Sequence, residues 1–90
     1  MSAVWKPNVT VAAVIERNGR FLLVEEETPE GIRINQPAGH LDPGEAPVDG
    51  AIRETLEETA CAFVPAALLG VYMARSASAR EAAPVTYLRF

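Results

Sequence analysis

Ninety residues, 49% apolar and 22% charged with a net charge of −4, describe one small globular domain, of a size that buries only about 60–65% of its unfolded surface. The acidic balance excludes non-specific binding to a nucleic-acid backbone, which needs clustered Lys and Arg, but leaves room for phosphorylated small molecules, because a bound cation inverts the local field. A single cysteine, Cys61, rules out an intrachain disulfide, and no stretch approaches the roughly 20 apolar residues of a membrane span; with no signal-like run at residues 1–7, a reducing cytoplasm is the expected compartment.

Residues 8–16 are rich in β-branched types and predict a first strand. Arg17-Asn18-Gly19-Arg20 follows, and Asn-Gly is a strong hairpin signal because both residues tolerate positive φ. Phe21 to Glu27 returns as the second strand and ends in Glu25, Glu26 and Glu27, which read as a solvated strand end. Thr28 to Gly31 is a turn and Ile32 to Gln36 a short extended segment. The run from Pro37 to Gly44, with two prolines and two glycines, reads as loop.

A helix is expected from Pro47, suited to a first turn, to about Thr59, with Gly50 costing it about 1 kcal/mol relative to Ala. Residues 62–75 hold a second apolar, strand-like stretch around Leu68-Leu69-Gly70-Val71-Tyr72-Met73. Ser76 to Pro84 is a small-residue loop, and Val85 to Phe90 is the last strand. That strand is expected to form an exposed apolar edge, with self-association as its hazard.

Placed on an ideal helix, Val48, Ala51, Ile52 and Leu56 share a stripe with Thr55 and Thr59, which predicts the face that packs on a sheet. Glu54, Glu57 and Glu58 fall on a separate arc, bordered by Arg53 at i, i+4 from Glu57. Like charges at i, i+4, as in Glu54 and Glu58, disfavour an isolated helix by a few tenths of a kcal/mol. A hard divalent cation such as Mg²⁺ relieves that conflict, since it takes carboxylate oxygens and keeps water and phosphate as its other ligands. A solvated acidic face with an Arg53–Glu57 pair is the alternative.

The upstream loop tips the balance. Gly39 is followed after five residues by Glu45, and after seven more by Arg53-Glu54-Thr55-Leu56-Glu57-Glu58-Thr59-Ala60-Cys61. This pattern resembles the Nudix box, Gly-x5-Glu-x7-Arg-Glu-U-x-Glu-Glu-x-Gly-U with U a bulky apolar residue. Gly39, Glu45, Arg53, Glu54, Glu57 and Glu58 all fall in register. Thr55 and Cys61 occupy the U positions, and Ala60 replaces the glycine that ends the helix. A left-handed Ala strains by about 1 kcal/mol, so a slightly altered helix exit is expected. Flanking segments, Phe21-Leu22-Leu23-Val24-Glu25-Glu26, Asn35-Gln36-Pro37-Ala38-Gly39-His40-Leu41 and Leu88-Arg89-Phe90, are similar to the NudJ-type branch of the family.

The resemblance implies an α/β fold, a Nudix-type α/β/α sandwich around a mixed sheet. Residues 1–90 would be one Nudix domain, the N-terminal two-thirds of a typical one, with later strands and a C-terminal helix beyond Phe90. It implies a Mg²⁺-dependent hydrolase, Mn²⁺ substituting, that cleaves diphosphate linkages in nucleoside di- and triphosphates or thiamine-type pyrophosphates. By position, Glu57 and Glu58 are metal ligands, and Glu54 is a metal ligand or the base that takes the proton of the attacking water. The Gly39 carbonyl is a further ligand, Arg53 orients a carboxylate, and Glu45 supports the loop and the helix start.

His40 and Gln36 are possible substrate contacts, and each is equally a loop residue satisfied by backbone; the same holds for Asn35. Trp5 and Tyr72 are candidates for stacking on a base or for ordinary packing. Cys61 reads as an inert buried residue. The competing class is a Nudix-fold nucleotide-binding or regulatory module, weak or inactive as a catalyst; intact Glu54, Glu57 and Glu58 favour the enzyme.

Overall fold

The computed structural model describes residues 3–76 and 84–90. The first strand, β1 (Asn8–Ala12), supplies the deepest positions: Thr10, Val11 and the following Ala13 are buried. The strand expected over 8–16 stops at Ala12: the Ala13 N–H still donates to the Pro37 carbonyl at 2.9 Å, but proline has no N–H to return and the ladder ends. The chain then enters a small hairpin, β2 (Glu16–Arg17) and β3 (Arg20–Phe21). Asn18 and Gly19 take φ of 54° and 77° there, the two left-handed residues that an Asn-Gly turn demands.

A second hairpin joins β4 (Val24–Thr28) to β5 (Gly31–Asn35), so the expected strand over 21–27 is two pieces. Glu25, Glu26 and Glu27 on β4 are exposed. The expected loop after Pro37 contains a short strand, β6 (Ala38–His40), antiparallel to β1. Only β6 gives this loop a fixed register, and that register places Gly39 opposite Val11.

The helix α1 (Pro47–Thr59) has the expected bounds, with Pro47 in the first turn and no side-chain cap at Ala46. Its packing follows the expected stripe in part, with Thr55 buried and Ala51, Ile52 and Thr59 half-buried. Gly50 and Thr55 are buried, whereas Val48 and Leu56 are exposed. Gly50 lies so close to the sheet that a Cβ would stand 2.7 Å from Leu41 Cδ1 and 3.4 Å from Val11 Cγ2. The glycine therefore allows close approach, which sequence alone reads only as lost helix propensity. Thr55 satisfies its hydroxyl by donating to the Ala51 carbonyl at 2.8 Å, which makes its complete burial tolerable.

The helix ends at Ala60 with φ 59° and ψ 16°, its N–H donating to the Leu56 carbonyl. The exit thus keeps the left-handed geometry of a glycine, and the expectation of an altered exit is corrected. Cys61 is exposed, not buried. The apolar stretch that follows is irregular up to Val71, with Leu68 and Leu69 exposed, and the strand there, β7, spans Tyr72–Ser76. The loop expected over 76–84 falls mostly on 77–83, outside the described residues.

The last strand, β8 (Val85–Arg89), is not an edge. The main sheet runs β6-β1-β8-β7, with β8 parallel to β1 on one side and antiparallel to β7 on the other. Its residues are half-buried. Both neighbours satisfy its ladder, so the proposed self-association through this strand loses its premise. The result is a mixed sheet with α1 packed on β6 and β1. The sandwich's second helical layer is not among the described residues, nor is any helix long and apolar enough to cross a membrane.

Candidate active site

Arg53 organises the site. Its Nε and Nη2 donate to the two oxygens of Glu45 at 2.8 and 2.9 Å, a bidentate pair that fixes the plane of the guanidinium. Nη2 also donates to the His40 carbonyl at 3.0 Å, and Nη1 donates to Glu54 Oε1 at 2.8 Å. Asp42 lies 3.2 Å from Nε, and Glu57 lies 3.3 Å from Nη1 on the exposed side. One cation thus joins the helix to the loop between β6 and α1.

Glu45 faces this cation and also accepts the Asp42 N–H at 3.1 Å. The Arg53 hydrogen bonds, and then the Asp42 N–H, hold its carboxyl below the ordinary range. Arg53 is correspondingly raised, by Glu45 first and Glu54 second. The loop is closed further by the Glu45 N–H, which donates to the Asp42 carbonyl at 3.1 Å. Asp42 is a participant that sequence reasoning missed; its place two residues after His40 carries no motif signal.

Glu54 lies against β6. A Cβ on Gly39 would fall on the Glu54 carboxylate, so only glycine leaves room for that side chain. Glu58 reaches the same strand, where the Ala38 N–H points to its Oε1 at a long 3.4 Å. Partial burial, then the neighbouring Glu54 carboxyl and the charge of Glu26, push the Glu58 carboxyl above its usual range, while the Ala38 N–H acts the other way. Acids crowded in this way repel one another until a proton or a cation intervenes.

Whether these donors fit a divalent metal follows from their chemistry. Glu54 at Gly39 and Glu58 at Ala38 lie side by side along β6 with the Gly39 carbonyl, all oxygen donors of the kind Mg²⁺ prefers. Glu57 is turned to Arg53 instead, and no three acidic, His or Cys side chains converge on one point among the described residues. The donor set fits; the structure holds its third carboxylate on the guanidinium.

Beside this cluster lies an open cavity of about 510 Å³, on the sheet face opposite α1. His40, Asn35, Tyr72 and Gly39 line it, together with Thr10, Glu26, Tyr87 and Arg89, which sequence reasoning did not single out. His40 is exposed, and its ring lies 6.4 Å from that of Tyr87 at 49°. Gln36 is half-buried, does not line the cavity, and donates its backbone N–H to the Asn35 side chain. Trp5 is exposed and away from it.

Comparison with known proteins agrees with this geometry. Residues 5–87 match the NUDIX domain. Over 61 residues the chain is 48% identical to "Phosphatase NudJ" of Escherichia coli K12, covering 68% of this chain and 40% of that protein. The protein of the same name from Shigella flexneri matches with the same identity and coverage. A solved "NUDIX hydrolase from Nitrosomonas europaea" superposes with a TM-score of 0.77 and 53% identity, over 94% of this chain and 55% of that one. The chain therefore spans about half the length of the relatives it matches or less. With its domain match over nearly all residues and the box residues gathered between β6 and α1, the chain belongs to the Nudix family.

Proposed function

We propose that the chain, as a single domain over residues 1–90, carries the metal-binding and catalytic element of a hydrolase that cleaves diphosphate linkages in nucleoside di- and triphosphates or thiamine-type pyrophosphates. The observation that carries this reading is the crowding of Glu54, at Gly39 where only glycine leaves it room, against Glu58, at Ala38, because crowded carboxylates call for a cation.

Glu54, Glu57, Glu58 and the Gly39 carbonyl are assigned to hold Mg²⁺, or Mn²⁺ in its place. When bound, the ion neutralises charge on the diphosphate and lowers the pKa of the attacking water. Arg53 holds Glu54 and Glu57 in orientation through its Nη1. Glu54, braced between Gly39 and Arg53, is the candidate acceptor of the water's proton. Glu45 and Asp42 fix Arg53 in turn, so that the helix and the β6 loop move as one unit. His40 lines the cavity where a substrate would lie. The expected setting is the cytoplasm and the partner a phosphorylated small molecule.

The test is phosphate release from a panel of nucleoside di- and triphosphates and thiamine-type pyrophosphates, with Mg²⁺ and with EDTA. Glu57→Gln is expected to lower kcat about 100-fold or more, a typical loss when an electrostatic catalytic group is removed. Its melting temperature should barely change, because Glu57 is 57% exposed. Unchanged turnover in that variant removes Glu57 from the metal site. Tight nucleotide binding without turnover in the unaltered chain points to a binding module instead.

A further inference from the structure

The cavity on the open face of the sheet holds a guanidinium that the catalytic reading does not use. Sheet register puts His40 opposite Thr10, Thr10 opposite Arg89, and Arg89 opposite Tyr72. Directly paired residues share a face, so the four form one row across β6, β1, β8 and β7. Tyr87, two residues before Arg89, lies on that face as well, and all five line the cavity.

Arg89 is fixed at one end only. Its Nε donates to Thr10 Oγ1 at 3.2 Å, and Thr10 is itself buried. Among the described residues Arg89 pairs with no carboxylate; the ion pairs there all belong to Arg53. With Nε occupied, the two terminal nitrogens remain as a pair of parallel donors, matched to two adjacent acceptors on a flat group. The cavity, at about 510 Å³, is the size of a small-molecule site and far larger than a phosphate needs. Its walls include Tyr72 and Tyr87, and Arg89 is the only Arg or Lys among the described residues that line it. That lining suits an aromatic ring better than an isolated anion, which would call for several cations.

The position is also right. Arg89 lies two interstrand spacings, about 10 Å, from β6, where the carboxylates gather. Glu26 lies on the cavity wall at the acidic end and bears on Glu58. A substrate with its diphosphate at Gly39 would extend its organic part along the row towards Arg89.

We infer that Arg89, tethered by Thr10, is a specificity-determining residue that donates its two terminal nitrogens to a substrate ring bearing two adjacent acceptors. Guanine, with O6 and N7 side by side, satisfies that pair; adenine, with a donor at N6, does not. The inference rests on the diphosphate-hydrolase reading only for the direction in which the substrate lies.

Equilibrium binding of GMP, AMP and orthophosphate, measured without metal, tests it independently of turnover. The unaltered chain should bind GMP about tenfold more tightly than AMP, the ordinary worth of a bidentate contact. Arg89→Met and Arg89→Lys should both abolish the preference, because lysine restores the charge but not the paired donors. Orthophosphate should bind alike in all three proteins. Retained circular dichroism and melting temperature show that each variant is folded, and Thr10→Val, which frees Nε, should weaken the preference without altering the sheet. Equal affinity for GMP and AMP in the unaltered chain overturns the assignment. So does a preference that survives in Arg89→Lys, or orthophosphate affinity that falls in step with GMP in Arg89→Met. A clear GMP preference in a chain without Mg²⁺-dependent turnover sinks the hydrolase reading and leaves this one standing.

Discussion

On the two faces of α1, two charged residues are more buried than two apolar ones. Arg53 and Glu54 have side chains only 25% and 15% exposed, while Val48 and Leu56 are 50% and 52% exposed. The charged face docks on β6 through Arg53, Glu54 and Glu58, while Val48 and Leu56 of the apolar stripe look away and Thr55, Ala51 and Ile52 of the same stripe are buried or half-buried. Charged residues are rarely buried unless paired, and here Glu45, Glu54 and Asp42 share one guanidinium. The difference teaches that this helix is positioned in part by its chemistry: beside the packing of Gly50 and Thr55, the contacts that arrange the carboxylates also hold it on the sheet.

Three substitutions probe that contrast, beginning with the largest expected effect. Gly39→Ala places a methyl group on the Glu54 carboxylate. Either the side chain or β6 must shift, and overpacking of this kind costs about 1–3 kcal/mol. Chemical denaturation should show that loss, and turnover should fall with it; a stable and fully active variant would mean that Glu54 does not rest on Gly39.

Ala60→Gly works in the opposite direction. Ala60 holds φ 59°, a conformation that costs a non-glycine residue about 1 kcal/mol or more. The glycine variant should gain roughly 1 kcal/mol, less the extra chain entropy it must lose on folding, and a melting curve measures it. Leu56→Ala is the smallest. An exposed side chain away from special features changes stability by about 0.5 kcal/mol or less. A loss of 2 kcal/mol or more would show that the apolar stripe is covered in solution and would break the comparison.

How far the sequence revealed this arrangement depends on how local each feature is. The helix bounds followed from Pro47 and the 3.6-residue period, and the loop–helix spacing from Gly39 to Glu58 located the cluster. Two positions misled because burial is decided by what packs opposite. Leu56 belongs to the apolar stripe yet faces outward, and Gly50 reads as a weak helix residue yet permits a close approach of α1 to Leu41 and Val11.

The place of β8 was illegible for a different reason. Its pairing with β1 joins Thr10 to Arg89 across almost the whole chain, and no local pattern encodes a partner so distant. A terminal apolar strand looks like an edge until its two neighbours are known. The same long-range pairing assembles the row from His40 to Tyr72, so the cavity's polar wall could not be read from sequence. Cys61 was misplaced because the U position of the box promises an apolar contact that the chain beyond Ala60 does not make.

Direct titration with Mn²⁺, followed by the loss of its free electron paramagnetic resonance signal, tests the central claim most closely. Saturable binding to the unaltered chain is expected, with marked weakening in Glu54→Gln and Glu58→Gln and the fold retained in both. Binding of equal strength in those variants, or no saturable binding to the unaltered chain, would contradict the claim that the charged face of α1 is built to hold a metal.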